Sequence, residues 1–285
     1  MGSLYAAALG AAGCAVSLLL RPPVTATRGE VTVESNDGTS TCPVRLESQD
    51  TGGQITHLLV CTKAYDIADA VAGVAQRLGP DTPILLAANG MGYLEWFDSH
   101  LPHNPVYCCL STEGAYPIEP LHIRHAGRGS NLIGSPAGLA APQWLEDWLA
   151  SSLDVSWEEH IQEAQWHKLA INCAINPLTA LHRCRNGELA RNDALKVHVR
   201  QLCDEISAVS TAAGFTRTAA TIHEDVANVI DNTADNRSSM LQDVMAGRST
   251  EIAFITGYLL STAARVGVDA PLHRRLLREV TDPGL

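Results

Sequence analysis

Trp166-His167-Lys168-Leu169-Ala170-Ile171-Asn172-Cys173-Ala174-Ile175-Asn176-Pro177-Leu178-Thr179-Ala180 is an apolar run in which three polar residues recur every fourth position. On a helix, Lys168, Asn172 and Asn176 stack along one face, and almost every residue between them is aliphatic, Ala or Cys. Two readings stand open. Either the line is a narrow solvated face, with the lysine reaching out to water, or the helix is buried and the line looks into a cavity or at a partner. On the second reading, buried ammonium and amide groups must meet something polar, and a small anionic or carbonyl-bearing ligand suits them.

The pattern on either side of this helix differs. From about Glu158 onward helical patterns dominate: Ala194 to Ala213, Thr218 to Asp231, a short one after Asn236-Arg237-Ser238-Ser239, and a last strong one from about Thr250 to Val266. Glu251, in the first turn of that last helix, is favoured there by the helix dipole whether or not it has a further role. Upstream, strands alternate with helices. A helix from Ser3 to about Ala12 stops at Gly13 and leads into a strand Ala15 to Leu20. Two β-rich stretches, Glu30 to Glu34 and Cys42 to Glu47, flank the turn signal Asn36-Asp37-Gly38. Thr56 to Thr62 is a buried parallel strand with an amphipathic helix, Tyr65 to Leu78, behind it, and Pro83 to Ala88 repeats the pattern before Asn89-Gly90-Met91-Gly92. Pro105 to Ser111, Leu121 to His125 and Ser130 to Ile133 complete the strands, and Ala141 to Ser151 is a helix. The order predicts a doubly wound sheet over residues 1–155 and an all-helical domain over 156–285. Ligands of such sheets bind at the carboxyl ends of strands, where Arg21, Lys63 and Asn89 sit.

Composition bounds the function. The chain has 285 residues, 46% hydrophobic and 18% charged, which suits two globular domains with sizeable cores. A net charge of -11 argues against a general nucleic-acid or anionic-membrane binder, although it allows a local basic pocket. The eight cysteines form no CxxC pair and the eleven histidines no HExxH, so reduced core thiols and no metal are expected, and Cys173 packs on the apolar side of its helix. The first 20 residues carry no charge, yet a membrane or signal reading lacks a basic start and is interrupted by Gly10 and Gly13.

With these pieces in place, the chain resembles the ketopantoate reductases, the NADPH-dependent 2-dehydropantoate 2-reductase family, over nearly its whole length. The likeness is carried by Thr62-Lys63-Ala64, Asn89-Gly90-Met91-Gly92, the helix from Lys168 to Asn176-Pro177-Leu178-Thr179-Ala180, Asn186-Gly187-Glu188-Leu189, Ser238-Ser239-Met240-Leu241-Gln242-Asp243 and Thr250-Glu251-Ile252, in that order. It implies a Rossmann-like N-terminal domain and a helical substrate domain. By the same likeness, Lys168 is the general acid and Glu251 hydrogen-bonds in the same site, against cofactor and reacting group. Asn89, Asn172, Asn176, Asn186, Asn236 and Ser239 would hold a 2-oxo acid substrate. Arg21 and Lys63 would take the 2′-phosphate of NADPH, and Asn89 and Ala115 the nicotinamide end. The enzyme so implied is a cytoplasmic monomer or homodimer of pantothenate and coenzyme A synthesis, with no nucleic-acid or membrane partner.

Two departures accompany the likeness. The family opens with a buried strand and a GxGxxG turn, whereas here Gly2 matches the third glycine and the first strand and first two glycines are absent. The sheet is therefore expected to lack a central strand and most of its diphosphate cradle. A start codon placed too late, a fragment, or a degenerate copy that has lost catalysis would each produce this, and the first is favoured because the other motif residues are in place. The second departure is Thr256-Gly257 where the family usually has Asn-Gly, which keeps a hydroxyl and loses an amide.

Overall fold

A computed structural model describes residues 1–21 and 23–281. They form two compact units: Met1–Ala88 with Glu95–Ile161, and Asn89–Leu94 with Gln162–Leu285.

The first unit begins with helix α1 (Gly2–Ala11), then strand β1 (Ser17–Leu19) and the hairpin β2 (Arg28–Ser35) and β3 (Gly38–Glu47). Ser35 pairs with Gly38, so Asn36 and Asp37 alone make the turn. Then come β4 (Leu58–Val60), the short helix α2 (Ile67–Ala72), β5 (Ile84–Leu86), α3 (Leu94–His100), β6 (Val106–Ser111), β7 (Gly114–Glu119), β8 (His122–Gly127), β9 (Ser130–Gly134), α4 (Leu145–Leu149) and β10 (Asp154–Trp157). The strands lie in two five-stranded sheets, ordered β1-β3-β2-β8-β7 and β10-β9-β6-β5-β4. β4, β5 and β6 run parallel, and their wholly apolar runs are buried as a doubly wound sheet requires. The expected gap is present: β1 and β4 each end a sheet, and among the described residues no strand lies between them.

Several elements differ from the sequence reading. The helix expected over Tyr65 to Leu78 is three pieces, a 3-10 turn Ala64–Asp66, α2 and a 3-10 turn Ala75–Arg77, because α2 is capped at Gly73. The helix expected from Ala141 is shortened to α4, since the turn before it is closed by i to i+3 bonds, Leu145 N to Pro142 O at 3.0 Å and Glu146 N to Gln143 O at 3.1 Å, which are tighter than α-helical ones. β7 and β10 were not anticipated. β7 has an exposed, non-alternating face, and β10 is only four residues long.

The second unit is helical: α5 (Ile161–Leu181), α6 (Glu188–Arg191), α7 (Asp193–Ala212), α8 (Thr216–Asn232), α9 (Ser239–Met245), α10 (Ile252–Val266) and α11 (Pro271–Thr281). Its core is built around α5, with Trp166, Leu169, Ala170, Cys173, Ala174 and Leu178 buried among side chains of α7, α8, α10 and α11. Trp166 stacks on Phe215 with ring centroids 4.6 Å apart, and its indole N–H donates to Ser210 Oγ at 3.0 Å, so the largest buried ring is also hydrogen-bonded. The expected last helix, α10, ends at Gly267 in the left-handed conformation, and α11 follows it. The run His273-Arg274-Arg275 hides its amphipathic spacing, in which His273, Leu276 and Val280 face inward. No helix of the described residues is long and apolar enough to cross a membrane.

The start of α11 is held by one carboxylate. Glu205 on α7 accepts from Leu272 N at 2.8 Å and His273 N at 3.1 Å, and its Oε2 lies 2.7 Å from His273 Nδ1. Burial opposes the charged Glu205, but the His273 ring and the two backbone N–H groups outweigh it and hold its pKa below the usual carboxylate value. A depressed carboxylate stabilises the fold above its unfolded pKa, about 4.3, and that contribution is lost as pH falls through the lower folded value. Urea midpoints should therefore fall as pH is lowered below about 4.5, and Glu205→Gln should remove that part of the pH dependence.

Candidate active site

In the helical unit the line on α5 runs from half-buried to buried: Lys168 and Asn172 are partly exposed, and Asn176 is only 7% exposed. Burial of the rest of the helix forces this arrangement, because every other face of the Leu169–Ala180 stretch is committed to the core. Pro177 lies inside α5 without ending it. Two residues on, the Thr179 hydroxyl can donate to Ile175 O at 3.1 Å or Asn176 O at 3.0 Å, and it lies 2.6 Å from Ser238 Oγ.

Ser238 in turn caps α9, accepting from Leu241 N at 3.1 Å. The adjacent serines thus divide their roles: Ser238 is buried in the junction of α5 with α9, while Ser239 is exposed. Asn186 and Asn236 are joined by a backbone bond, Asn186 N to Asn236 O at 3.0 Å. The Asn186 amide nitrogen donates to Thr233 Oγ1 at 2.8 Å, and its Oδ1 is buried without a hydrogen-bond partner. Asn236 is exposed. Asn186 thus anchors the loop that carries Asn236 and Ser239.

Glu251 is 4% exposed, at the residue that precedes α10. The amide of Asn89 donates to Glu251 Oε2 at 3.4 Å, and Met91 N donates to Phe254 O at 2.9 Å, which fastens the 89–92 strip to the first turn of α10. Only glycine allows this. Gly90 has φ +83° and a Cβ there would fall 2.5 Å from Phe254 O, and at Gly92 (φ +95°) it would fall 2.9 Å from the Tyr258 ring. At the strip's far end Tyr93 OH accepts from Gln165 Nε2 at 3.4 Å, on α5 one turn before Lys168. The strip therefore touches both the helix of Lys168 and the helix that follows Glu251. Sequence reasoning missed Gln165, Tyr93, Thr179, Ser238 and Thr233. Their only local signals were a polar residue one turn ahead of Lys168 and a doubled serine. Thr256 is fully buried beside the Cys173 thiol, so the departure from the usual asparagine lies inside the core.

In the sheet unit Gly2, Arg21 and Ala115 line one cavity of about 1310 Å³, with Thr62, next to Lys63, also on its wall. Arg21 is exposed and pairs with Asp66, three residues beyond Lys63 in the chain. Ala115 sits on β7 opposite His125. The turn just before it is pinned by Glu113, whose carboxylate lies 2.7 Å from His125 Nε2 and accepts from Gly129 N at 2.9 Å and Asn131 Nδ2 at 3.2 Å. Tyr5 OH donates to Asn131 Oδ1 at 2.9 Å, which ties α1 to the same network, and burial holds the Tyr5 phenol well above its ordinary pKa. Desolvation pushes the Cys61 thiol up to about 12 and also raises Cys173, so both are protonated at neutral pH.

Two family models match the chain: "Ketopantoate reductase PanE/ApbA" over residues 1–138 and "Ketopantoate reductase PanE/ApbA C terminal" over 160–282. The chain is 34% identical to the 2-dehydropantoate 2-reductase of Vibrio cholerae, over 98% of its own length and 93% of the relative's. The crystal structure of 2-dehydropantoate 2-reductase from Geobacter metallireducens aligns with a TM-score of 0.87 at 24% identity, covering 98% of this chain and 95% of that one. A ternary structure of D-mandelate dehydrogenase with NADH and anilino(oxo)acetate aligns with a TM-score of 0.81 at 20% identity, covering 98% and 94%.

If Ser238 is structural and Ser239 is not, the two alanine variants will separate in a urea denaturation series. Ser238→Ala should lose about 1 to 2 kcal/mol, a cap and a buried bond, while Ser239→Ala should stay within about 0.5 kcal/mol of the parent.

Proposed function

The chain belongs to the ketopantoate reductase family, and we propose that it reduces 2-dehydropantoate to pantoate with NADPH, as a cytoplasmic monomer or homodimer of pantothenate and coenzyme A synthesis. In this reading residues 1–155 bind the cofactor and 156–285 supply the substrate side chains. The observation that carries it is the buried Glu251 carboxylate, held by Asn89 in the same helical unit as the line of Lys168, Asn172 and Asn176.

The residues present fit such a cofactor at its ends. Arg21 and Lys63 suit a 2′-phosphate: Arg21 spends one N–H on Asp66 and its planar fork has others to give. Asn89 and Ala115 suit the nicotinamide end, and the start of α1, at Gly2, suits a diphosphate. Bound there, the reduced nicotinamide supplies a hydride to the ketone carbon. Lys168 gives a proton to the carbonyl oxygen as negative charge grows on it. Asn172, Asn176, Asn236 and Ser239 hold carboxylate and hydroxyl without adding charge, with Asn186 setting the loop that carries the last two. A site built on such bonds rejects analogues that lack the matching group.

A second reading, reduction of another branched 2-oxo acid, draws on Thr256, where the family usually has asparagine. A panel of branched 2-oxo acids decides between them: kcat/KM should be highest for ketopantoate, and a higher value for another acid would favour the second.

For the leading reading, NADPH oxidation followed at 340 nm should depend on ketopantoate, and Lys168→Ala should lower turnover by roughly 10²-fold or more with the fold intact. Unchanged turnover in that variant would remove Lys168 from the reaction. Arg21→Ala should weaken NADPH by about tenfold or more and leave NADH almost unaffected, because only the phosphorylated cofactor meets the guanidinium.

A further inference from the structure

Glu113 lies in the turn from β6 to β7 with its side chain only 2% exposed. The carboxylate accepts from Gly129 N at 2.9 Å and Asn131 Nδ2 at 3.2 Å, and its Oε2 lies 2.7 Å from His125 Nε2. Asn131 is itself fixed: it is fully buried, its Nδ2 also donates to Asp154 O at 3.1 Å, and its Oδ1 accepts from Tyr5 OH at 2.9 Å. Glu113 therefore meets groups that donate, and a glutamine in its place would set an N–H against one of them. The backbone is held as closely. Thr112 N donates to Ser130 O at 2.9 Å and Ser130 N to Thr112 Oγ1 at 2.8 Å, while a Cβ on Gly129 would fall 2.4 Å from Thr112 C. β7 then begins with Gly114 paired to Gly127 and steps to Ala115 opposite His125, with a register shift between the two. Such irregularities re-aim the residues that follow. Ala115, on the wall of the cavity, thus stands two residues after Glu113 and across the ladder from the ring that Glu113 holds.

We propose, resting on the reductase reading of that cavity, that Glu113 is a positioning residue for the cofactor: through the turn from β6 to β7 it sets the Ala115 wall against which the nicotinamide end rests. Through Asn131 and Tyr5 the same polar cluster reaches α1, whose start lines the same cavity at Gly2. One cluster therefore carries both backbone surfaces that the reading gives to the diphosphate and the nicotinamide. An apolar side chain would fill the turn with less desolvation, but only the carboxylate ties His125, Gly129 and Asn131 to one turn conformation.

The test titrates the full chain by calorimetry with NADPH and with adenosine 2′,5′-bisphosphate, which carries the 2′-phosphate end and stops short of the nicotinamide. In the parent chain NADPH should bind the more tightly. Glu113→Gln should weaken NADPH about tenfold and leave the bisphosphate within about twofold, whereas a group that merely supported the fold would cost both ligands alike. Tyr5→Phe keeps its ring on Trp148, with centroids 5.1 Å apart, and loses only the hydroxyl. It should show the same split more weakly, and it decides the matter if Glu113→Gln melts below the titration temperature. An unchanged ratio of the two affinities, or no advantage of NADPH over the bisphosphate in the parent, would overturn the proposal. A parent that shows the split but reduces no 2-oxo acid would sink the reductase reading and keep the role of Glu113 toward the cofactor.

Discussion

The helical unit depends on the burial of α5. From Leu169 to Ala180, α5 is packed among α7, α8, α10 and α11, and Asn172 and Asn176, in line with Lys168 one turn earlier, occupy the line that the packing leaves over. The stacking of Trp166 on Phe215 and its bond to Ser210 fix the helix in rotation as well as in place. A small rotation would carry the ammonium toward the core, where an unpaired charge is costly. The polar line is therefore positioned by apolar contacts far more numerous than its own.

A second constraint acts on the strip from Asn89 to Leu94, which belongs in space to the helical unit although it precedes α3 in the chain. Two glycines let its backbone come against Phe254 and Tyr258, closer than any side chain would allow. Once it is there, Asn89 reaches Glu251 and Tyr93 meets Gln165. The motif Asn-Gly-Met-Gly thus encodes a backbone contact first and a polar contact as its result.

Much of this was legible in the sequence, and the illegible parts share a cause. The alternation of strand and helix and the long apolar helix could be read from periodicity, since each follows from burial along a continuous stretch, whereas the absent central strand could be read only from the family likeness. Lys168 was visible as a polar residue in an apolar run, while Glu251 stood out only through the family likeness, its place at a helix start being explained by the helix dipole. Gln165, Ser238 and Thr179 were not, because their roles depend on partners 59 to 72 residues away. α11 was hidden by His273, which a periodicity count scores as polar but which is fully buried against Glu205. Asn186 was legible as a polar residue in a motif, yet its amide turns inward to Thr233.

Side chains of α1 reach both sheets of the first unit. Tyr5 of α1 reaches Asn131 on β9 of one sheet, while Cys42 Sγ of β3, in the other, lies 4.0 Å from Ala6 O of the same helix. Val31, Val33 and Val44 share one apolar core with Leu85, Tyr107 and Ile133, so side chains from both sheets meet around α1. Hydrophobic burial is non-directional, so one core can serve strands of two separate ladders. α1 therefore serves as a staple that holds the two sheets with their unpaired edges on one cavity.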